Sequence, residues 1–453
     1  MNMAVVHVRQ VQLFQRPVTL RLPFRFGAAT VTQAPQAFVR VQVDVNGQRS
    51  VGASAELMVP KWFDKNPALT HEQNFEQLRT ALRLAAAGWC DAGRQASVHV
   101  LSLNAGDEVL RQAGALGLPR LAAQFGPAQL DKAVADAVLR ALGLGWCDGL
   151  RAGVLGDPWS RSLGISTPQH VALRHTVGLA DRLLDGDPGP DPQDGLPATL
   201  QQAIAACGLT HFKLKLSGRA DDDLQRLQRI AALLDRSAPD ARVTLDGNES
   251  FADAHALAGF WQRLRATPAL QGLHRRTLLL EQPLPRAQAL SVPLHGLGID
   301  VPVIIDESDD HDQALDEALA LGYRGISSKA CKGLFRSLRN AAALAARPGQ
   351  GLLLSGEDLT CQAGLAVQQD TLLAASLGVT HIERNGHHYV DDFGSAPEAE
   401  ARRFAAAHPG LYEHPHGRVR LAVHGGRLDL SSLHGPGFAS GAFPDWDTLS
   451  PIP

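Results

Sequence analysis

The feature that most constrains the fold is a repeated alternation of short apolar segments with helical segments between residues 171 and 385. Strand–helix units repeated about every 20–35 residues predict a parallel sheet, because parallel strands need a crossover that a helix provides. Eight such strands are enough to close an α/β barrel. The predicted strands are 171–179, 211–216, 242–248, 277–283, 301–307, 323–329, 351–357 and 380–385.

The regions on either side of this repeat have a different pattern. Residues 5–14 and 38–45 are rich in β-branched and aromatic residues and predict strands, and Asn46-Gly47 is a hairpin-turn signal. Ala and Leu then recur at helical spacing up to about residue 142. We therefore predict an α+β domain over residues 1–150, a barrel over 151–405, and a Gly/Pro/His-rich segment over 406–453 that packs back on the first domain.

Polar and charged residues end five consecutive predicted strands, although buried strands of a parallel sheet should be apolar. Because the carboxyl ends of barrel strands converge on one face, we expect these side chains to meet there and to form the active site. They are Lys213 and Lys215, Asp246 and Asn248, Glu281, Asp306 and Glu307, and Lys329.

Three acids from successive strands would repel one another at this face unless a cation lies between them. Mg²⁺ prefers oxygen ligands, so Asp246, Glu281 and Asp306 are predicted to bind Mg²⁺, with Mn²⁺ as the alternative. Only seven of the 43 Lys and Arg residues are Lys, and four of them are Lys213, Lys215, Lys329 and Lys332. Lysine can lose its proton and act as a base, whereas arginine stays protonated. A metal flanked by lysines is suited to removing a proton next to a carboxylate, since the metal stabilises the enolate that forms.

Several motifs together resemble the muconate-lactonizing-enzyme subgroup of the enolase superfamily, the mandelate racemase and muconate lactonizing enzymes. They are KLK at 213–215, DGN at 246–248, EQP at 281–283, DES at 306–308 and the strand ending at Lys329. The resemblance covers essentially the whole chain, and each motif is weak alone. It implies a modified TIM barrel of the (β/α)7β type with an N-terminal α+β capping domain.

The resemblance also implies roles for individual residues. Lys215 and Lys329 would be the acid/base pair on opposite faces of the substrate, and Lys213 would favour the neutral form of Lys215. Asn248 and Glu307 would lie beside the metal ligands. The reactions implied are racemisation or epimerisation, cycloisomerisation, and syn dehydration of the o-succinylbenzoate-synthase type.

Candidates for binding substrate come from the first domain and from the last barrel strands: Phe24, Trp62, Ser355, Glu357, Asp358 and Arg384. Trp62 is either a lid over an apolar part of the substrate or ordinary packing, and Lys61 or Lys65 is expected to meet a distal anion. Lys332 is expected on the surface, Cys331 is expected to be buried, and His387 and His388 are expected to be surface or structural residues. Strand eight lacks the Asp-x-Asp of dipeptide epimerases, which argues against a dipeptide substrate.

Composition narrows the remaining possibilities. The net charge of −3 and the absence of basic runs argue against a nucleic-acid or anionic-membrane partner. We see no signal peptide or membrane-spanning run, and five scattered cysteines without a CxxC pair suit a reducing compartment, so we expect a cytoplasmic homo-oligomer that acts on a small-molecule carboxylate. Two alternatives to a proton-transfer enzyme remain: an inactive barrel that serves as a binding protein, and a barrel hydrolase that uses the same acids for metal-assisted water attack.

Overall fold

The N-terminal region of the computed structural model, which describes residues 3–414 and 417–452, is a five-stranded antiparallel sheet covered by helices, with one edge strand supplied by the C-terminal segment. The hairpin between the second and third strands turns at Asn46 and Gly47, whose φ angles of 50° and 91° lie in the region that Asn and Gly tolerate best. The elements of this region are β1 (Val6–Phe26), β2 (Ala29–Val45), β3 (Gln48–Leu57), α1 (His71–Asp91), β4 (Arg94–Gln95), α2 (Val98–Ala115), α3 (Arg120–Leu142) and α4 (Trp146–Ala152).

Helix α3 lies against β3 and is buried along most of its length. The backbones approach closely at Gly52, where an added Cβ would lie 2.1 Å from the carbonyl oxygen of Ala133. Only glycine fits at this position, since the helix would otherwise have to move away from the sheet.

The second region is the barrel, in which eight parallel strands alternate with helices. Its elements are β5 (His170–Val177), α5 (Leu200–Cys207), β6 (His211–Lys215), α6 (Ala220–Ser237), β7 (Arg242–Asp246), α7 (Ala254–Ala266), α8 (Gln271–Arg276), β8 (Thr277–Glu281), α9 (Arg286–Ala289), β9 (Val303–Ile305), α10 (Ala314–Ala320), β10 (Gly325–Ser328), α11 (Leu334–Ala345), β11 (Leu353–Gly356), α12 (Leu365–Ser376), β12 (His381–Arg384), α13 (Gly386–Tyr389) and α14 (Glu398–Ala407).

The barrel closes through β12, which pairs with β5 in parallel from His381↔Ala172 to Arg384↔His175. All eight predicted strands are present in the predicted order, and the α/β modified TIM barrel is confirmed. Residues 267–277 fold as a helical turn and α8 immediately before β8, so they lie at the amino ends of the strands, away from the charged strand ends.

The C-terminal segment contacts both regions. Strand β15 (Arg427–Asp429) follows β13 (Tyr412–Glu413) and β14 (Arg420–Leu421) and pairs with β5 of the barrel, whereas β16 (Ser450–Pro451) pairs with β1. Within the described residues, no helix is long and apolar enough to cross a membrane.

Candidate active site

Parallel register brings the charged residues of β6, β7 and β8 to the same level at the carboxyl end of the barrel. Lys215 lies opposite Asp246, and Asp246 lies opposite Glu281. These three residues, and Asp306 and Lys329 beyond the ends of β9 and β10, are each no more than 7% exposed. The predicted metal ligands and lysines therefore occur together in one buried cluster.

The amine of Lys213 lies at the centre of this cluster. Its Nζ is within 3.0 Å of carboxylate oxygens of Asp246, Glu281, Glu357 and Glu383. Burial alone would lower the pKa of Lys213, but these four carboxylates outweigh burial and raise the pKa well above its usual value. Lys213 is therefore a fixed cation that holds four acids together.

The two lysines predicted to act on substrate lie on either side of this centre. Lys215 Nζ is 2.6 Å from Asp246 Oδ2, and Lys329 Nζ is 2.6 Å from Asp306 Oδ2. Burial opposes the charge on Lys329, but Asp306 more than compensates and raises the pKa of this amine. Each lysine is thus paired with a different predicted metal ligand.

Aromatic side chains of the N-terminal region form a roof over these amines. The ring of Trp62 is 4.2 Å from Lys329 Nζ, and the rings of Phe24 and Phe26 are each 5.9 Å from Lys215 Nζ. The free volume beneath this roof is about 20 Å³, which is enough for about one water molecule. The roof must therefore move before a substrate can enter.

The donor set fits a hard divalent cation. Both carboxylate oxygens of Glu281 are buried and accept no hydrogen bond of good geometry, although Lys213 Nζ lies 2.7 Å from one of them. Burial, with Asp246 and Glu357 nearby, raises the pKa of Glu281 well above its usual value. A cation bound by carboxylate oxygens would satisfy these atoms, and hard cations such as Mg²⁺ prefer oxygen ligands.

The ligand atoms of Asp246, Glu281 and Asp306 do not all lie within 4.8 Å of one another in this structure. Among the described residues, Asp358, Cys361 and Asp370 have ligand atoms that lie this close together. The guanidinium of Arg384 already neutralises that set, since it lies 3.5 Å from Asp358 and 2.8 Å from Asp370. The predicted ligands are instead bound to the amines of Lys213, Lys215 and Lys329, which a metal would have to displace.

The neighbours of the predicted ligands fix their orientation. Asn248 donates its backbone N–H to Asp246 Oδ1 at 2.9 Å and its side-chain amide to Glu307 at 3.2 Å, so both residues lie next to predicted ligands. Their role beside a metal stays a prediction. Gln282 was not predicted to act here, yet its Oε1 accepts the backbone N–H groups of Asp306 and Ser308. The EQP motif could have indicated this role, because a buried glutamine at a strand end needs hydrogen-bond partners.

Glu383 was also missed by the sequence analysis. Its Oε1 accepts a hydrogen bond from Thr176 at 2.6 Å, and its Oε2 accepts one from Lys213 at 3.0 Å. The charge at the end of the eighth predicted strand was the available signal. Lys213 is on β6 and Glu383 is on β12, which are far apart in the sequence. Their pairing could therefore be predicted only if the barrel was known to close.

Lys332 was expected on the surface, and this expectation is wrong. Its amine is buried and donates to the Ser327 carbonyl at 2.9 Å and to the Asp306 carbonyl at 3.2 Å. The short helical turn Ala330–Lys332 directs the side chain back into the barrel. Cys331 is buried as predicted, and His388 is a buried residue whose ring packs on His175.

Three of the six candidates for binding substrate, Phe24, Trp62 and Asp358, line the cavity. The other three do not, and their assignment is corrected. Glu357 and Ser355 lie behind Lys213, where Glu357 also pairs with Arg174. Arg384 leaves β12 on the side opposite Glu383, because successive strand residues alternate, and it pairs with Asp370 outside the cavity.

The lysines near the roof have partners within the protein. Lys61 donates to the carbonyl of Asn66 at 2.7 Å. Lys65 lies 2.5 Å from Glu249 and donates to the Asn248 carbonyl at 2.6 Å. Neither amine is placed against the cavity, so the structure does not support a distal-anion role for them.

A buried acid cluster with flanking lysines, at the carboxyl ends of a barrel under an apolar roof, defines a barrel enzyme with an enclosed polar centre. The family described as "Enolase C-terminal domain-like" matches residues 196–439, more than half of the chain. The chain therefore belongs to the enolase superfamily, in the group of mandelate racemase and muconate lactonizing enzymes, and it is an enzyme of that superfamily. Members of the superfamily generally use a divalent metal.

Solved structures share this fold across nearly the whole chain. The 2-chloromuconate cycloisomerase of Rhodococcus opacus 1CP is 17% identical, with a TM-score of 0.64 and 96% of each chain covered. The muconate lactonizing enzyme of Pseudomonas fluorescens, complexed with muconolactone, is 16% identical, with a TM-score of 0.61 and coverage of 98% of this chain and 96% of that chain. The L-Ala-D/L-Glu epimerase of Bacillus subtilis is 16% identical, with a TM-score of 0.59 and coverage of 94% and 98%. No curated protein matches.

Proposed function

We propose that this protein removes the proton alpha to the carboxylate of a small-molecule substrate and passes through an enolate to a racemised, epimerised or cycloisomerised product. The supporting observation is that Lys215 and Lys329 line one small cavity and are each bound to a different predicted metal ligand. Two amines that approach the same space from β6 and β10 suit a reaction in which one removes a proton and the other returns it.

The metal we propose is Mg²⁺, with Mn²⁺ as the alternative, held by Asp246, Glu281 and Asp306. When bound, the divalent cation supplies positive charge that competes with the lysines for the carboxylates and stabilises the negative charge that develops on the substrate carboxylate. The all-oxygen donor set supports this choice, because softer metals favour sulfur or imidazole ligands.

Lys329, Lys213 and the aromatic roof have different roles in the proposed proton transfer. Lys329 must be neutral to accept a proton, so its ion pair with Asp306 must weaken before the reaction. Lys213 stays charged among its four acids and holds Glu383 and Glu357 in place. The roof of Phe24, Phe26 and Trp62 keeps water from the enolate, which would otherwise be protonated from solution.

The test is exchange of the α-proton for deuterium in D₂O with Mg²⁺, followed by NMR on a panel of carboxylates. Lys215→Ala and Lys329→Ala are each expected to abolish inversion and to lower, by about 100- to 10,000-fold, exchange of the enantiomer whose α-proton faces the missing lysine, because each removes one of two proton-transfer groups. Lys215→Arg and Lys329→Arg are expected to be equally impaired, since Arg keeps the charge but cannot accept a proton. Arg402 forms an exposed ion pair with Glu398 on α14, so Arg402→Ala is the control.

Exchange also separates the possible reactions. Exchange accompanied by inversion indicates a racemase or epimerase, and exchange with loss of water indicates the syn-dehydratase. Binding of carboxylates without exchange, with both lysine variants unaltered, would contradict the proposal and favour the inactive barrel that acts as a binding protein. The homo-oligomer and the cytoplasmic location remain predictions.

A further inference from the structure

Phe24 forms a wall of the cavity beside Lys215. Both residues line the cavity, the ring of Phe24 lies 5.9 Å from Lys215 Nζ, and Phe24 is 5% exposed. The free volume of the cavity is only about 20 Å³. In a space this small, the position of a wall determines how close the α-carbon of a substrate lies to the amine, and proton transfer requires hydrogen-bonding distance. Whatever holds Phe24 in place therefore affects the reaction.

The ring of Phe24 packs on Tyr389 of α13, which is fully buried. The two ring centres are 4.4 Å apart. The hydroxyl of Tyr389 donates to Asp181 Oδ2 at 2.5 Å and accepts the backbone N–H of Gly178 at 3.1 Å. The same N–H also donates to Asp181 Oδ2 at 2.7 Å. Because a buried hydroxyl is costly to leave unpaired, these hydrogen bonds fix the ring of Tyr389.

The space around this contact is filled. An added Cβ at Gly178, directly after β5, would lie 2.9 Å from the Tyr389 hydroxyl oxygen and 3.3 Å from Cδ2 of Phe24. Arg226 of α6 donates to the carbonyl oxygens of Gly178 and Asp181 at 2.7 and 3.0 Å. The turn that supports Tyr389 is thus bound to the barrel, and Phe24 packs against a support that leaves it little room to move.

The cover over Lys329 has a separate support. The ring of Trp62 packs edge-on against Phe63 at 4.8 Å, and the carbonyl oxygen of Trp62 accepts from Arg286 at 2.8 Å. Among the described residues, no ring contact or hydrogen bond joins Trp62 to Tyr389. The walls beside the two lysines can therefore be disturbed one at a time.

We propose that Tyr389 is a positioning residue for the Lys215 side of the reaction, because its hydrogen bonds fix the ring on which Phe24 packs. Tyr389 itself does not line the cavity. The inference rests on the proposed function, since it assigns Phe24 the role of holding the α-carbon of the substrate within reach of Lys215. A displacement of about 1 Å can slow a reaction about 100-fold. Loss of the Tyr389 hydroxyl should therefore slow proton transfer at the face of the substrate that meets Lys215 and spare the face that meets Lys329.

The first test needs no substrate. Tyr389→Phe keeps the ring and removes the hydroxyl, and amide hydrogen exchange of the full-length variant is compared with that of the wild-type protein. We expect exchange to become at least about 5-fold faster over residues 22–28 and to stay the same over residues 59–65, because losing a local contact lowers protection locally. Equal acceleration of the two segments, or acceleration of neither, would overturn the inference.

Tyr412→Phe is the matched control for loss of a buried tyrosine hydroxyl. The hydroxyl of Tyr412 accepts the backbone N–H of Gly364 at 2.9 Å and the side-chain amide of Gln368 at 2.8 Å, and its ring packs on Phe393. None of these residues lines the cavity, so this variant should match the wild-type protein over residues 22–28. An effect as large as that of Tyr389→Phe would also overturn the inference.

The second test measures α-proton exchange by NMR in D₂O with Mg²⁺, using the separate enantiomers of lactate, N-acetyl-alanine and 2-phenylpropionate. The enantiomer that loses exchange in Lys215→Ala identifies the Lys215 face. We expect Tyr389→Phe to slow exchange of this enantiomer by about 5- to 20-fold and to change exchange of the other by less than about twofold. Similar losses for both enantiomers would mean that Tyr389 only supports the fold, and the inference would be wrong.

A double-mutant cycle tests whether Tyr389 acts through Phe24. Phe24→Leu is expected to show the same enantiomer-selective loss, and adding Tyr389→Phe should then slow exchange by less than about twofold more, because the effects of coupled residues do not add. Additive losses would overturn the inference. Should Tyr389→Phe fold poorly, Gly178→Ala takes its place, since the added Cβ crowds both Tyr389 and Phe24. An equal effect of Gly178→Ala on the two enantiomers would overturn the inference.

Failure of the proposed function has a different signature. No carboxylate would then exchange its α-proton, and the lysine variants would behave like the wild-type protein. The hydrogen-exchange result would still decide whether the Tyr389 hydroxyl holds Phe24 in place.

Discussion

The floor and the roof of the cavity are built in opposite ways. The floor consists of strand ends whose buried charges hold one another, as Lys213 holds four acids. The roof consists of aromatic side chains that meet the floor mainly through ring faces, with Trp62 over Lys329. The floor is thus a fixed set of reactive groups, whereas the roof can change shape and residues without disturbing them. We infer that the barrel sets the type of reaction and the roof governs access and selectivity.

The largest expected effect comes from removing one charge from the floor. Glu281→Gln keeps the shape of a side chain whose two oxygens lack hydrogen bonds, but it removes the charge that attracts a cation. We expect calorimetric affinity for Mg²⁺ and the rate of α-proton exchange each to fall by at least about 100-fold. Glu357→Gln is the matched control, because Glu357 also binds Lys213 but is not a predicted ligand. Equal losses in the two variants would contradict the ligand assignment.

The next effect tests whether Trp62 is a lid or ordinary packing. Trp62→Ala removes the ring that lies 4.2 Å from Lys329 Nζ and opens the cavity to water. We expect kcat/KM for α-proton exchange to fall by about 10- to 100-fold, with thermal stability lowered by only a few degrees. Trp62→Phe is expected to recover part of the loss. An unchanged exchange rate together with a large loss of stability would favour the packing role.

The same contrast explains what the sequence could predict. Asp246, Glu281, Asp306 and Lys329 were identified because a charge at the end of a buried apolar strand is anomalous in any parallel barrel. The eight strands were found for a related reason, since their period and spacing are local properties of the chain. The reactive residues of the floor can therefore be identified from the sequence alone.

Other parts of the site depend on packing between distant segments. Phe26 looks like an ordinary apolar residue until the first domain is placed over the barrel, and the sequence left Trp62 undecided between a lid and ordinary packing. Lys332 was misplaced because a three-residue turn decides its direction, and Arg384 because the side of the strand decides its direction. Ser355 was misplaced because it lies behind Lys213, where it donates to Glu357. The pairing of Lys213 with Glu383 requires the first and last parts of the barrel to close on each other.

A third prediction compares buried acids in the two regions. In the barrel, burial would raise the pKa of Asp246, but Lys213 and Lys215 outweigh burial and lower it. In the N-terminal region, Asp131 has no such cation, and burial raises its pKa to about 8, with Ser102 as its hydrogen-bond donor. Asp246 is thus charged in the floor, whereas Asp131 in α3 is neutral below about pH 8.

This difference sets a pH dependence for Asp131. Between about pH 4 and 8 the folded protein holds a proton on Asp131 that the unfolded chain has released, so stability falls as pH rises through this range. Asp131→Asn cannot ionise and is expected to gain about 3–4 kcal/mol relative to the wild-type protein between pH 5 and pH 8 in urea unfolding. Other titrating groups cancel in the comparison of the two proteins. A stability difference that does not vary with pH would show that Asp131 is ionised in the folded state.

The smallest expected effect concerns the attachment of the roof to the floor. Arg286 pairs with Glu249 at 2.9 Å and donates to the carbonyl oxygens of Trp62 and Phe63 at 2.8 and 3.1 Å. Glu249 is also held by Lys65, so one barrel acid ties both ends of the roof segment that carries Trp62. Because the closed cavity has room for about one water molecule, this attachment must loosen whenever substrate enters.

Arg286→Ala should therefore shift the roof toward its open form. We expect faster amide hydrogen exchange over residues 59–65, a KM raised by about 3- to 10-fold, and little change in kcat, because the floor keeps its geometry. Arg263 on α7 forms an exposed ion pair with Asp221, so Arg263→Ala is the control for loss of a surface arginine. A fall in kcat with unaltered hydrogen exchange would mean that Arg286 acts on the floor through Glu249 and the adjoining metal-ligand loop. In that case the roof and the floor would act as one unit. The inference that the barrel sets the type of reaction while the roof governs access and selectivity would then be wrong.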